Sequence, residues 1–181
     1  MADIRIENMV ASTTIAPELD LAALSAALPE SDYNPAEFPG LVLRLTKPKT
    51  AALLFRSGKV VCTGGKTTED VQQAIQKVID MASSTGADVR DDPKIQVQNI
   101  VASASLGANL NLHAIALAIG LEKVEYEPEQ FPGLVYRLQE PRVVVLLFSS
   151  GKLVCTGARR QAQVEEAVDQ IAAELERKGL L

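Results

Sequence analysis

Phe38-Pro39-Gly40-Leu41-Val42 returns as Phe131-Pro132-Gly133-Leu134-Val135, and Leu53-Leu54-Phe55-Arg56-Ser57-Gly58-Lys59 returns as Leu146-Leu147-Phe148-Ser149-Ser150-Gly151-Lys152. Residues 33–64 align with 126–157 without a gap, and 20 of the 32 positions are identical. Upstream, at a spacing of 91, Asn8-Met9-Val10-Ala11-Ser12 meets Asn99-Ile100-Val101-Ala102-Ser103. Downstream, Val71, Ala74 and Val78 meet Val164, Ala167 and Ile171, and a two-residue length difference falls near Glu30 to Asp32. The chain is therefore two tandem copies of a unit of about 90 residues, one over 1–90 and one over 91–181, joined around Gly86 to Pro93. So long a period in so few copies does not make a solenoid. It predicts an internal pseudo-dimer about a pseudo-twofold axis.

Each copy reads the same way. A strand (Ile4 to Ala11; Ile95 to Ala102) leads into a helix, expected from near Pro17 to Pro29 in the first copy and from near Asn109 to Gly120 in the second. In the first copy, strands at Leu41–Leu45, Thr50–Arg56 and Val60–Thr63 follow, with Ser57-Gly58 as a tight turn. A helix closes the unit, with Val71, Ala74, Ile75, Val78 and Ala82 as its apolar stripe after a capping pattern from Thr67 to Asp70. Strands followed by one-sidedly apolar helices predict an α+β fold with an antiparallel sheet.

At 181 residues, 47% hydrophobic and 23% charged, the chain can bury a real core. Its apolar runs stop at six residues, as from Val143 to Phe148, against the roughly 18 to 20 that crossing a bilayer takes. No basic-then-apolar leader opens it, so a cytoplasmic location is expected. Cys62 and Cys155 lie 93 apart with no CxxC, which reads as two buried free thiols. The net charge of −5 argues mildly against nucleic acid, but the distribution qualifies it. Leu41 to Gly64 carries five basic residues and no acid, and Leu134 to Arg160 five against one, while acids gather in the predicted helices.

Strand parity carries the argument towards function. Leu53, Phe55, Val61 and Thr63 share one face; Ala52, Leu54, Val60 and Cys62 share the other, and both sets are apolar. Two helices per unit can cover only one face. If they cover the cysteine side, the phenylalanine side is an apolar surface that a monomer rarely leaves without a partner. An apolar face edged with Arg and Lys, with Asn and Thr at repeated sites, fits a duplex minor groove, whose A·T floor offers only acceptors. Valine and leucine there would clash with the guanine amino group, and phenylalanines beside strand turns can wedge between base steps.

These residues also carry a resemblance. Asn8-x-Val10, Phe38, Leu53-x-Phe55-x-Ser57-Gly58-Lys59 and Val61-Cys62-Thr63-Gly64, each repeated in the second half, resemble the TATA-box-binding protein family in its archaeal form. The resemblance spans essentially the whole chain. It implies a pseudo-twofold saddle of two tandem repeats, with a curved antiparallel ten-stranded sheet and four helices on the convex side. It implies that Phe38 with Phe55, and Phe131 with Phe148, wedge at the two ends of a TATA element. Asn8, Thr63, Asn99 and Thr156 match the family's polar contacts at the centre of the site, and Val10, Leu53, Val61, Val101, Leu146 and Val154 its apolar floor contacts. Arg44, Lys59, Arg137, Arg142 and Lys152 match basic positions near phosphates. The loop Glu127-Pro128-Glu129-Gln130 matches the stirrup that meets transcription factor B, through which RNA polymerase is engaged indirectly. Glu37 and Gln130 depart from the pattern: neither is basic, whereas in some relatives the first of these positions is, and this weakens phosphate attraction at the first stirrup.

The expected role is that of a general initiation factor, a monomer on double-stranded A·T-rich promoter DNA, with no cofactor, metal or membrane partner. Rival readings stand beside it. The phenylalanines can be ordinary core residues, Asn8 and Asn99 strand-end caps, and Thr63 and Thr156 plain β-formers. The apolar face can serve a small-molecule carrier, or dimerise the free protein as an interaction scaffold. An enzyme is not expected, since the chain has one histidine, His113, no paired cysteines and no glycine-rich phosphate loop.

Overall fold

The computed structural model describes residues 3–181, and among them nine strands and four helices. In chain order these are β1 (Arg5–Thr14), α1 (Leu21–Ala27), β2 (Leu41–Thr46), β3 (Lys49–Leu54), β4 (Lys59–Gly65) and α2 (Thr68–Ser84). Then follow β5 (Gln96–Ser105), α3 (Leu112–Ile119), β6 (Val124–Glu125), β7 (Leu134–Leu138), β8 (Val143–Leu147), β9 (Lys152–Ala158) and α4 (Gln161–Arg177). The chain divides into two compact units: a first, Asn8–Gln98, and a second, Asn99–Leu181 with the described residues up to Glu7. The first orders its strands β2-β3-β4-β1 and the second β5-β9-β8-β7-β6, antiparallel within each. The α+β class read from the sequence is the one observed.

Ten strands were expected and nine are present. The tenth survives only as a bridge between Asp32 and Val42, in the place where the second unit forms β6. Aligned residues show why. Val124 buries its side chain and pairs with Tyr136. Its counterpart Ser31 instead donates its hydroxyl to the Leu28 carbonyl at 2.6 Å, and a serine turned back on its own backbone holds a turn rather than a strand.

The early helices are shorter than the sequence suggests. The segment after β1 is already claimed by the distant hairpin, Ile15 N–H donating to the Gly58 carbonyl and Leu19 N–H to that of Arg56, both at 2.9 Å. Helix begins only after that, at Leu21, where Asp20 Oδ1 accepts from Ala23 N–H. The second unit repeats the device, with Leu106 and Leu110 tied to Gly151 and Ser149 and Asn111 capping α3.

The long helices set which sheet face is covered. Val71, Ala74, Ile75, Val78, Ile79 and Ala82 of α2 are buried, and the helix packs on β3 and β4; α4 packs on β9. Beneath them Ala52, Leu54, Val60 and Cys62 are fully buried, as are Val145, Leu147, Leu153 and Cys155. Each fully buried Leu or Val contributes about 1.5 to 3 kcal/mol relative to an exposed one, so this layer dominates stability. Both cysteines are free, and burial pushes each thiol up to about 11. They are packing residues.

Candidate nucleic-acid interface

The other face of each unit is left open by its helices. In the first unit, register places Val42, Leu53 and Val61 in one row across β2, β3 and β4, and Arg44, Ala51 and Thr63 in the next. The second unit repeats this as Val135, Leu146 and Val154, then Arg137, Val144 and Thr156. All the valines, leucines and threonines of these rows are half-buried, whereas their neighbours of opposite parity are buried, apart from the exposed Gly64 and Gly157. The parity reading of Leu53, Val61, Thr63 and their copies thus matches their placement. It missed Val42 and Val135, which share the face through cross-strand pairing that a single strand's alternation does not show, and Ala51 and Val144, which lie two residues before Leu53 and Leu146 on the same strands. Val10 and Val101 are half-buried at the irregularity between Met9 and Ala11 and at its copy between Ile100 and Ala102. A bulge of this kind re-aims a side chain.

The asparagines and threonines form matched pairs. Gly64 N–H donates to Asn8 Oδ1 at 2.7 Å, and Asn8 Nδ2 donates to Thr63 Oγ1 at 3.4 Å. In the second unit Gly157 N–H donates to Asn99 Oδ1 at 2.7 Å, and Asn99 Nδ2 to Thr156 Oγ1 at 3.3 Å. A backbone N–H can meet only the amide oxygen, so the Asn orientation is fixed. Each Nδ2 keeps one N–H to spare, and each threonine, already accepting, keeps its hydroxyl proton. Two donors per unit are therefore available outward, held by the sheet itself.

The four phenylalanines form two edge-to-face pairs. Phe38 and Phe55 have centroids 5.9 Å apart at 67°, Phe131 and Phe148 5.9 Å apart at 68°. Phe38 and Phe131 remain 39% exposed, among the few large apolar side chains that reach solvent. Each pair closes over a glycine. A Cβ on Gly40 would stand 2.7 Å from Phe38 and 3.0 Å from Phe55, and one on Gly133 2.7 Å from Phe131 and 3.0 Å from Phe148. Strand parity does not reach Phe38 and Phe131, which lie before β2 and β7. Packing on Phe55 and Phe148 is what brings them into the site.

Arg44, Lys59, Arg137, Arg142 and Lys152 are all exposed; Arg44, Lys59, Arg137 and Lys152 have the strand parity of the open face, and Arg142 stands just before β8. Lys49 belongs with them and was overlooked. It shares the parity of Ala51 and Leu53 and aligns with Arg142, so the repeat alone could have found it. Glu127, Glu129 and Gln130 are exposed on a turn closed by Gln130 and Phe131 N–H on the Glu127 carbonyl. Residues 34–38 form the same turn, with Glu37 and Phe38 N–H on the Asn34 carbonyl. His113 is exposed on α3 with its ring against Tyr126.

Each unit is thus an α+β repeat whose sheet is covered by helices on one face and carries an open, donor-bearing face ending in an aromatic pair on the other. Comparison gives the family. The family model described as "Transcription factor TFIID (or TATA-binding protein, TBP)" matches residues 3–84 and 94–178, and the chain belongs to this family of transcription factors, which are not enzymes. It is 56% identical over 178 residues to the TATA-box-binding protein of Archaeoglobus fulgidus, covering 98% of this chain and 97% of that one. It is 60% identical over 178 residues to that of Haloarcula marismortui, covering 98% and 96%. The solved structure of Methanococcus jannaschii TBP is similar with a TM-score of 0.90 at 48% identity, covering 97% of this chain and 99% of that one. The fold is the one that family shares.

Proposed function

We propose that the chain is a general transcription initiation factor that binds the TATA-box element of A·T-rich promoter DNA in the minor groove. The observation that carries this is the two pairs of free donors, one at Asn8–Thr63 and one at Asn99–Thr156, set among valines and leucines. An A·T floor offers adenine N3 and thymine O2, both acceptors, which these donors satisfy. Guanine adds an N2 amino group, a donor that Val10, Leu53, Val61, Val101, Leu146 and Val154 cannot accept from and that would hold the face off. The repeats, 1–90 and 91–181, each read half of the element.

The pairs Phe38–Phe55 and Phe131–Phe148 wedge between base steps at the ends of the element and kink it, which gives the open face more groove surface to cover. Bending a site of this length costs on the order of 1 to 6 kcal/mol, offset by apolar contact and counterion release. Arg44, Lys49, Lys59, Arg137, Arg142 and Lys152 lie along the phosphates. The protein binds as a monomer, and Glu127, Glu129 and Gln130 of the second unit meet transcription factor B, which brings RNA polymerase and nucleates the initiation complex.

The test is duplex binding by mobility shift, comparing a TATA oligonucleotide with a G·C-rich one across salt. The expected result is strong preference for TATA with affinity falling as salt rises, the slope of log affinity on log salt reaching about −5 if all six cations engage. Equal affinity for both duplexes would overturn sequence recognition. Tight salt-independent binding of a small apolar ligand instead would favour a carrier.

A further inference from the structure

Glu125 and Asp32 hold the same place in the two units. Glu125 pairs with Val135 across β6 and β7, and Asp32 with Val42 across the single bridge, each two residues from an open-face arginine. Those arginines, Arg137 and Arg44, hold matching register positions against Val144 and Ala51. Their side chains differ in state. Arg137 Nη1 donates to Glu125 Oε1 at 2.8 Å, both side chains exposed at 52% and 63%. Arg44 makes no ion pair among the described residues, whose other ion pairs lie at the end of α4 on Glu174. Asp32 carries the same charge one methylene shorter, and it does not engage Arg44. Charge is matched between the units, and reach is not.

We infer that Glu125 is a positioning residue that holds Arg137 back from phosphate, so that the two repeats grip DNA unequally and the first unit, through Arg44, grips harder. This rests on the proposed DNA-binding role. To meet a phosphate, Arg137 must either release Glu125 or bring a carboxylate close to the phosphate, and both are unfavourable. An exposed pair of this kind weighs a factor of about 1.5 to 5 in an equilibrium, enough to tilt the two halves without abolishing binding. The matched repeats therefore conceal an electrostatic difference made by one methylene.

Charge-neutral exchanges test this, since Asp32→Glu and Glu125→Asp alter reach alone and all four side chains are exposed. Affinity for a TATA duplex is measured across salt for these variants and for Arg44→Ala and Arg137→Ala. Arg44→Ala should flatten the slope of log affinity on log salt by about 0.9, and Arg137→Ala by less than half of that. Glu125→Asp should raise low-salt affinity, and Asp32→Glu lower it, each by up to about fivefold. Equal flattening by the two alanine variants, or exchanges that leave affinity and slope unchanged, would overturn the inference. If wild-type protein shows no salt-dependent duplex binding, the DNA-binding role itself fails, and the inference falls with it.

Discussion

Leu53 and Leu54 are neighbours in β3, yet they belong to different surfaces. Leu54 is fully buried with Ala52, Val60 and Cys62 where α2 packs, while Leu53 lies half-buried between Val42 and Val61 on the open side. Leu147 and Leu146 repeat the contrast in β8. The two faces are almost equally apolar, so hydrophobicity does not separate a core from a working surface. Cover does. A face that stays apolar without a helix over it keeps its free energy of burial for a partner.

Truncation on each face gives the largest expected effect. Leu54→Ala and Leu147→Ala leave cavities under the helices and should each cost about 2 to 5 kcal/mol of stability. Leu53→Ala and Leu146→Ala should cost far less stability but weaken binding to a TATA duplex. Urea melts run beside mobility shifts measure both quantities. Equal destabilisation on the two faces would erase the distinction between them.

A smaller effect is expected where the open face ends. In Gly133→Ala the new Cβ has no room beneath Phe131 and Phe148, so the rings must turn, and the protein should bend DNA less while remaining folded. Phe148→Ala should reduce the bend in the same direction. Energy transfer between dyes at the two ends of the duplex reads the bend; an unchanged bend in both variants would return these rings to ordinary packing. The smallest effect is the few-fold change expected from exchanging Asp32 and Glu125. It sharpens the comparison from two faces to two repeats.

Much of this was legible in the sequence because strand parity is a local rule and the repeat states it twice. Parity alone separated Leu53, Phe55, Val61 and Thr63 from Cys62 and its neighbours. What parity does not encode is contact across distance. The start of α1 was misjudged because Ile15 and Leu19 spend their N–H groups on the hairpin at Arg56 to Gly58, far along the chain. The tenth strand was lost because Ser31 bonds to Leu28 where Val124 packs. Phe38 and Phe131 join the site through a glycine that lacks a Cβ, a steric fact visible only once Phe55 and Phe148 are in place. Lys49 is legible from its alignment with Arg142 at the repeat spacing.

The central claim is that the open face reads the minor groove, and base substitution tests it most directly. Replacing A·T pairs of a TATA duplex by inosine–cytosine changes the major groove to a G·C-like pattern while leaving out the guanine N2 amino group. The account predicts that the inosine duplex binds within a few-fold of the A·T duplex, while the guanine–cytosine duplex binds far more weakly. An inosine duplex that binds as poorly as the guanine one would contradict it, because recognition would then lie outside the minor groove.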